Sequence, residues 1–201
     1  MSREVLELLE KMDKTELKNQ LALQCAPLLA GIKPSNLLTL RSHSEDEVYR
    51  TFQDTDIAVQ LLCRTKEQTV FLLYRREELL AWLHEPKVRR AMQSFGYEEA
   101  PLCDIFDGVC ARYERYMTDR RQFPHELGLL LGYPVEDVLG FVEHGGLNYL
   151  YSGYWKVYAN VQQAKETFAR YMEAKELLIR MASAGMGITA MLSLHQIAPA
   201  V

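Results

Sequence analysis

The chain has 201 residues, of which 48% are hydrophobic and 25% charged, and its formal net charge is −4. This composition is ordinary for a globular protein, and a chain of this length can bury a core without disulfides. The acidic balance argues against sequence-independent binding to nucleic acid, which requires a basic face. No apolar run reaches the roughly 20 residues that cross a bilayer, and the charged N-terminus is not typical of a signal peptide. We therefore expect a cytoplasmic protein.

Helical signals dominate the start of the chain. Apolar residues recur at helical spacing over residues 5–9, and Asp13 with Glu16 resembles a capping box that starts a second helix. Pro27 is expected to end or kink that helix, because proline lacks an amide hydrogen and clashes with the preceding turn. The segment NLLTL, residues 36–40, then predicts a short strand.

Two apolar runs in the middle of the chain give the clearest β signal. DIAVQLLCR and QTVFLLYR, residues 56–64 and 68–75, are rich in side chains that favour strands. The short polar link between them predicts an antiparallel hairpin. Just before this hairpin, Ser44 and Glu47 form a second capping pattern for a short helix. Helical spacing returns after the hairpin and continues to about residue 117.

The stretch FPHELGLLLGYPVEDVLGF, residues 123–141, predicts two short helices. Pro124 and Pro134 suit first helical turns, where a missing amide hydrogen costs nothing. The aromatic segment YLYSGYWKVY, residues 149–158, reads as a strand that completes the sheet. A long helix is expected over residues 161–182.

No internal repeat, low-complexity tract or linker divides the sequence. The predicted fold class is therefore α+β: a small, mostly antiparallel sheet of about four strands covered by helices, as a single domain over residues 1–201.

Several long blocks also carry a family resemblance. The chain contains, in this order, CAPLLAGIKPSNLLTL, LLYR, FPHELGLLLGYPVEDVLGFVEHGG and YSGYWKVY. These blocks resemble a family of uncharacterised bacterial proteins, mostly from anaerobic Gram-positive organisms, known as the domain of unknown function DUF3793. The resemblance covers about residues 15–180 and implies a cytoplasmic protein of an anaerobe. It implies no activity, cofactor or site residue.

His125, Glu126 and Cys25 are the candidate catalytic residues. A histidine near a helix start could act as a general base or metal ligand, but Leu129 stands where the zinc motif H-E-x-x-H needs its second histidine. The alternative is a helix N-terminus capped by Glu126. Cys25 would need a partner that lowers its pKa, which His125 could provide through the fold. Otherwise Cys25 is a buried core thiol.

Four residues are candidates for ligand binding. A strand over residues 151–158 would place Tyr154, Lys156 and Tyr158 on one face, which could bind an anion or a planar ring. The alternative is a solvated sheet face. Lys33, in the turn GIKPSN, could help to hold a phosphate, although no phosphate-loop pattern is present.

The leading hypothesis is a binding or accessory protein that holds a small molecule or a partner protein. The binding site would be a groove between the helices of residues 123–145 and the 151–158 strand. The second hypothesis is an enzyme that uses Cys25 or His125 in thiol or acyl chemistry. The third is a metal- or haem-handling protein with His125, His144 or Cys25 as ligands, although no ligand spacing favours a particular metal. The sequence identifies neither a cofactor nor an oligomeric state.

Overall fold

The computed structural model describes residues 1–41 and 45–193, and most of this part of the chain is helical. No helix within these ranges is long and apolar enough to cross a lipid bilayer. The predicted cap at Ser44 lies outside the described residues. The helices, in chain order, are α1 Arg3–Lys11, α2 Leu17–Gln24, α3 Ala26–Leu29, α4 Glu45–Phe52, α5 Arg76–His84, α6 Pro86–Ser94, α7 Leu102–Asp119, α8 Leu127–Leu130, α9 Val135–Glu143, α10 Val161–Ser183 and α11 Ile188–Leu192.

The main sheet has three antiparallel strands: β1 Ser35–Leu40, β2 Ile57–Arg64 and β3 Thr69–Arg75. Strand β3 is central, between β1 and β2. The predicted short strand at residues 36–40 and the predicted hairpin are both confirmed. The α+β fold class, a small sheet covered by helices in one compact domain, is confirmed as well.

Strand β3 is buried on both faces, which explains why its apolar run is continuous. Successive side chains of a strand point to opposite faces. Leu72 and Tyr74 pack into a core with helices α5 to α9, whereas Phe71 and Leu73 pack into a second core with α2, α3, α4 and α10. The sheet therefore lies between two helical layers.

The segment 149–158 does not complete this sheet, so that part of the prediction is wrong. Its residues form a separate two-stranded hairpin of β4 Tyr151–Ser152 and β5 Lys156–Val157. The chain reverses between the two strands, where the Gly153 amide donates to the Trp155 carbonyl over 3.0 Å. Val157 packs against Phe168 of α10 in a small apolar cluster of its own.

Several predicted helix boundaries shift by a few residues. The break near Pro27 falls at Cys25, and Pro27 lies in the first turn of α3. Asp13 does not cap a helix; its carboxylate accepts from the Thr15 amide over 2.8 Å. Both prolines were predicted in first helical turns, but each precedes its helix. Pro134 is the residue before α9, and Pro124 lies in the turn before α8, which begins at Leu127.

Candidate functional site

A pocket of about 420 Å³ lies between the α8–α9 pair and the β4–β5 hairpin. This is the location that the sequence predicted for a binding groove. Aliphatic side chains such as Leu127 and Val138 form part of its lining. Six aromatic or imidazole rings line most of the rest: Phe123, His125, Tyr133, Phe141, Tyr154 and Trp155.

Five of the rings contact one another in two groups on different sides of the pocket. The imidazole of His125 lies 5.7 Å from the Phe123 ring centroid and 5.4 Å from that of Phe141. On the other side, Tyr133 and Trp155 stack with centroids 4.9 Å apart and planes inclined by 28°. Aromatic pairs at these separations stabilise one another beyond their buried area.

The buried carboxylate of Asp137 attaches the hairpin to α9. One of its oxygens accepts from the Tyr158 and Ala159 amides over 2.7 and 3.0 Å, and the other accepts from Trp155 Nε1 over 2.6 Å. Hydrogen bonds to an ionised acceptor are stronger than those between neutral groups. Asp137 thus fixes both the entry of the chain into α10 and the orientation of the Trp155 ring.

Two glycines allow the hairpin to approach its neighbours closely. A Cβ atom at Gly140 of α9 would lie 2.6 Å from the Tyr158 side chain, and a Cβ atom at Gly153 would collide with Phe168. At Gly153 the Phe168 ring comes so close to the backbone that only glycine fits. Side chains at either position would separate the hairpin from the helices that hold it.

His125 is the half-buried polar group within the aromatic wall. Burial lowers the pKa of its imidazole, and the nearby Glu126 opposes this shift only in part. The ring is therefore neutral at pH 7 and carries one N–H donor and one acceptor nitrogen.

Glu126 lies outside the pocket lining, and its carboxylate pairs with Arg112. Its carboxylate is buried, with 2% of the residue exposed, and accepts from Arg112 Nε of α7 over 2.6 Å. The Tyr97 hydroxyl donates to the same oxygen over 3.4 Å. The side chain makes no capping bond to α8, so the predicted capping role is wrong. Glu126 instead joins α8 to α7.

Cys25 is buried in the core and is not among the residues that line the pocket. Its thiol donates to the Leu37 carbonyl over 3.5 Å. Burial raises the pKa of this thiol to about 12, although Lys33 and Asn36 oppose the shift. The thiolate is the nucleophilic form of cysteine, and at neutral pH Cys25 remains a thiol.

Alkylation rates should separate the cysteines. With iodoacetamide at pH 7.5 we expect the exposed Cys103 to react first and Cys25 at least about a hundredfold more slowly, because both access and thiolate are lacking. Peptide mass spectrometry over a time course measures each rate. In 8 M urea the two sites should react alike, which is the control. Folded-state labelling of Cys25 as fast as that of Cys103 would revive the thiol-enzyme hypothesis.

Lys156 and Tyr154, two of the predicted binding residues, line the pocket. The Lys156 ammonium donates to the Gly146 carbonyl over 2.7 Å and lies 4.8 Å from the Tyr149 ring centroid. Tyr154 projects from the turn of the hairpin, with its ring 5.1 Å from that of Tyr171. These residues were predicted from the alternation of side chains along a single strand. That strand does not exist, because the chain reverses at the hairpin turn.

Tyr158 is not among the residues that line the pocket. Its ring stacks on that of His144 at 5.6 Å and packs against Gly140. Its hydroxyl oxygen is buried and has no hydrogen-bond partner within the described ranges. Tyr158 therefore supports the hairpin from outside the cavity.

Lys33 is buried behind the pocket wall. Its ammonium lies 5.1 Å from the ring centroid of Tyr133 and 5.8 Å from that of Tyr171, and burial lowers its pKa to about 8. The turn around it is not built to hold a phosphate. Ser35 Oγ donates to the Leu130 carbonyl over 2.6 Å, and the Asn36 amide donates to the Gln24 carbonyl over 2.6 Å.

Metal binding gains no geometric support. Within residues 1–41 and 45–193, no group of three His, Cys, Asp or Glu side chains is arranged to hold a metal ion. His144, one of the suggested ligands, has its ring against Tyr158.

Asp137, Phe123, Phe141 and Tyr133 belong to the site but were not predicted as site residues. Asp137 lies in the first turn of α9, where the helix dipole alone is a sufficient local reason for an acid. Its partners lie 18 to 22 residues further along the chain, and no local pattern indicates them. The aromatic residues at both ends of the 123–141 block were a usable signal, because such rings are often buried only in part beside a binding site.

The family match is extensive. A family model described as "Protein of unknown function (DUF3793)" matches residues 21–192. The chain belongs to this family. The resemblance inferred from the four sequence blocks is thereby confirmed. The matched range includes every element that builds the pocket, from β1 to the β4–β5 hairpin. No curated protein and no solved structure matches the chain.

Proposed function

We propose that the protein binds a small, flat, mostly apolar molecule in the aromatic pocket. The supporting observation is the cavity of about 420 Å³ walled by six rings, with Trp155 held in place by Asp137. Ligand pockets for small molecules typically measure about 300–1,000 Å³ and combine apolar walls with a few polar groups. A flat ring system would pack against these walls, while His125 and Lys156 provide the polar contacts.

Binding is favoured over catalysis by the state of the candidate catalytic groups. Cys25 is a buried thiol, and Glu126 is occupied by Arg112. Glu126, the acid next to His125, is therefore not free to orient it in the way that an acid orients the histidine of the common acid–base arrangements.

We further propose that the protein works in the cytoplasm of an anaerobic bacterium. The family resemblance implies this setting. The four cysteines are free thiols, which suits a reducing compartment.

Naphthalene-2-carboxamide, a neutral flat molecule, is a suitable probe. We expect it to quench tryptophan fluorescence with a Kd on the order of 0.1 mM, the range for a ligand of this size. Phe141→Ala removes a pocket wall and should weaken binding about tenfold, whereas Tyr49→Ala removes an aromatic ring on α4 that does not line the pocket and should not. Circular dichroism checks that both variants fold. Equal affinity in wild type and Phe141→Ala would contradict the proposal.

A further inference from the structure

The polar groups of the pocket suggest which charge its ligand carries. Lys156 and His125 border the same ring: the Lys156 ammonium lies 5.7 Å, and the His125 centroid 5.4 Å, from the centroid of Phe141. Both groups line the cavity. A ligand that packs on Phe141 therefore comes close to two nitrogen groups that can donate hydrogen bonds.

The carboxylates near these groups are already occupied. Asp137 lines the cavity, but its two oxygens accept three hydrogen bonds from the hairpin. Glu126, next to His125 in the sequence, is paired with Arg112. The oxygens of both acids are thus engaged by the protein itself, and neither acid makes an ion pair with Lys156 among the described residues.

In the described part of the chain, both nitrogen groups keep N–H donors that no protein acceptor uses. The Lys156 ammonium has three N–H donors, and its hydrogen-bond acceptor among the described residues is the Gly146 carbonyl. The other contacts of this ammonium are with the Phe141 and Tyr149 rings. The imidazole of His125 contacts rings on two sides and adds a further N–H.

Aromatic walls can also attract a cationic ligand, because the faces of the rings are electron-rich. Here Lys156 already supplies the cation at the Phe141 and Tyr149 rings. A second cation in the cavity would be repelled by this ammonium, whereas an anion would be attracted to it.

We propose that the ligand is a flat aromatic carboxylate whose acid group binds Lys156 and His125. This inference rests on the proposed function and narrows it from flat apolar molecules to those with one negative group. The ring would pack against Phe141 and Trp155, and the carboxylate would accept charge-assisted hydrogen bonds from Lys156.

The test compares naphthalene-2-carboxylate with the carboxamide, which has the same ring and a neutral head. We expect wild-type protein at pH 7 to bind the acid at least tenfold more tightly, as measured by tryptophan fluorescence. The preference should shrink as salt is added, because salt screens the attraction. An acid-to-amide ratio near one would overturn this inference and leave the proposed function intact. Failure of both probes to bind would overturn both.

Variants locate the preference. Lys156→Met keeps an apolar chain of similar length and should reduce the acid-to-amide ratio to about one, while Lys156→Arg should keep it. Lys165→Met is the matched control, because Lys165 lies over the Tyr151 ring at 5.1 Å and does not line the pocket. A Lys156→Met variant that still prefers the acid tenfold would show that another group carries the charge recognition and would refute the inference.

Discussion

Replacement of Asp137 by alanine should lower the free energy of unfolding by about 3–5 kcal/mol and release the hairpin from α9. The change removes the acceptor for Trp155 Nε1 and for the Tyr158 and Ala159 amides. Each donor left in a largely buried position without a partner costs about 1–3 kcal/mol. Asp137 is 4% exposed as a residue, so water cannot easily take the place of its carboxylate as the hydrogen-bond acceptor. Urea unfolding followed by circular dichroism measures the loss.

Glu136→Ala is the matched control for Asp137→Ala. Glu136 is the preceding residue in the same helical turn, but it is exposed and pairs with Lys87 over 3.1 Å. Exposed ion pairs contribute little, so this change should cost less than about 1 kcal/mol. A loss for Asp137→Ala no larger than that for Glu136→Ala would show that the three hydrogen bonds do not hold the hairpin.

The local effect of Asp137→Ala can be separated from the global one. The chain has two tryptophans, and Trp82 donates to the Leu129 carbonyl over 2.7 Å in a different part of the fold. In a Trp82→Phe background, fluorescence therefore reports on Trp155 alone. We expect the emission of Trp155 to shift to longer wavelength in Asp137→Ala before urea is added, because the freed ring meets water.

The main sheet was predictable because the relevant signals are local. Strands β2 and β3 are rich in strand-forming side chains, and the short polar link between them fixes an antiparallel pair. The position of β1 beside β3 was not predictable in this way. Leu38 and Phe71 face each other across that pair, but they are separated by a helix and a strand, and no local pattern records their contact.

A cavity lies where the sequence predicted a groove, but one of its two walls has a different structure from the one predicted. Prolines and glycines punctuate residues 123–146 and so define the two helices that form one wall. The opposite wall was misread as a single strand, because a run of aromatic residues favours a strand whether or not the chain reverses within it. The turn at Gly153 divides the segment into strands of two residues each, which are too short for alternation to be informative.

Two buried acids, Glu126 and Asp137, bind partners that are distant in the sequence, although a local reason exists for each. Glu126 and Asp137 lie near helix starts, where capping and the helix dipole give a sufficient reason for an acid. The structure pairs Glu126 with Arg112 and Asp137 with the hairpin. Because a local reason was sufficient in each case, nothing in the sequence indicated these tertiary contacts. They become visible only in the folded structure.

Lys33→Met should raise the free energy of unfolding by about 1–3 kcal/mol, the opposite of the usual result for a core substitution. Lys33 is 6% exposed as a residue, and its ammonium lies over two tyrosine rings, with no carboxylate within ion-pair distance among the described residues. Methionine keeps the apolar chain and removes the charge that must be desolvated. Thermal and urea unfolding at pH 7 measure the gain. Lys66→Met, at an exposed position in the β2–β3 link, is the control and should change stability by less than about 0.5 kcal/mol.

The gain from Lys33→Met should depend on pH in a direction that identifies its cause. Burial lowers the pKa of Lys33 from 10.5 to about 8, so the folded protein releases this proton at a lower pH than the unfolded chain does. The cost of the buried charge is therefore complete below pH 8 and disappears as the pH rises towards 10.5. The stability difference between variant and wild type should shrink across that window, and comparison of the two proteins cancels the titration of the tyrosines and cysteines they share. A gain that stays constant from pH 7 to pH 10 would mean that methionine improves packing and that the Lys33 charge costs the fold nothing.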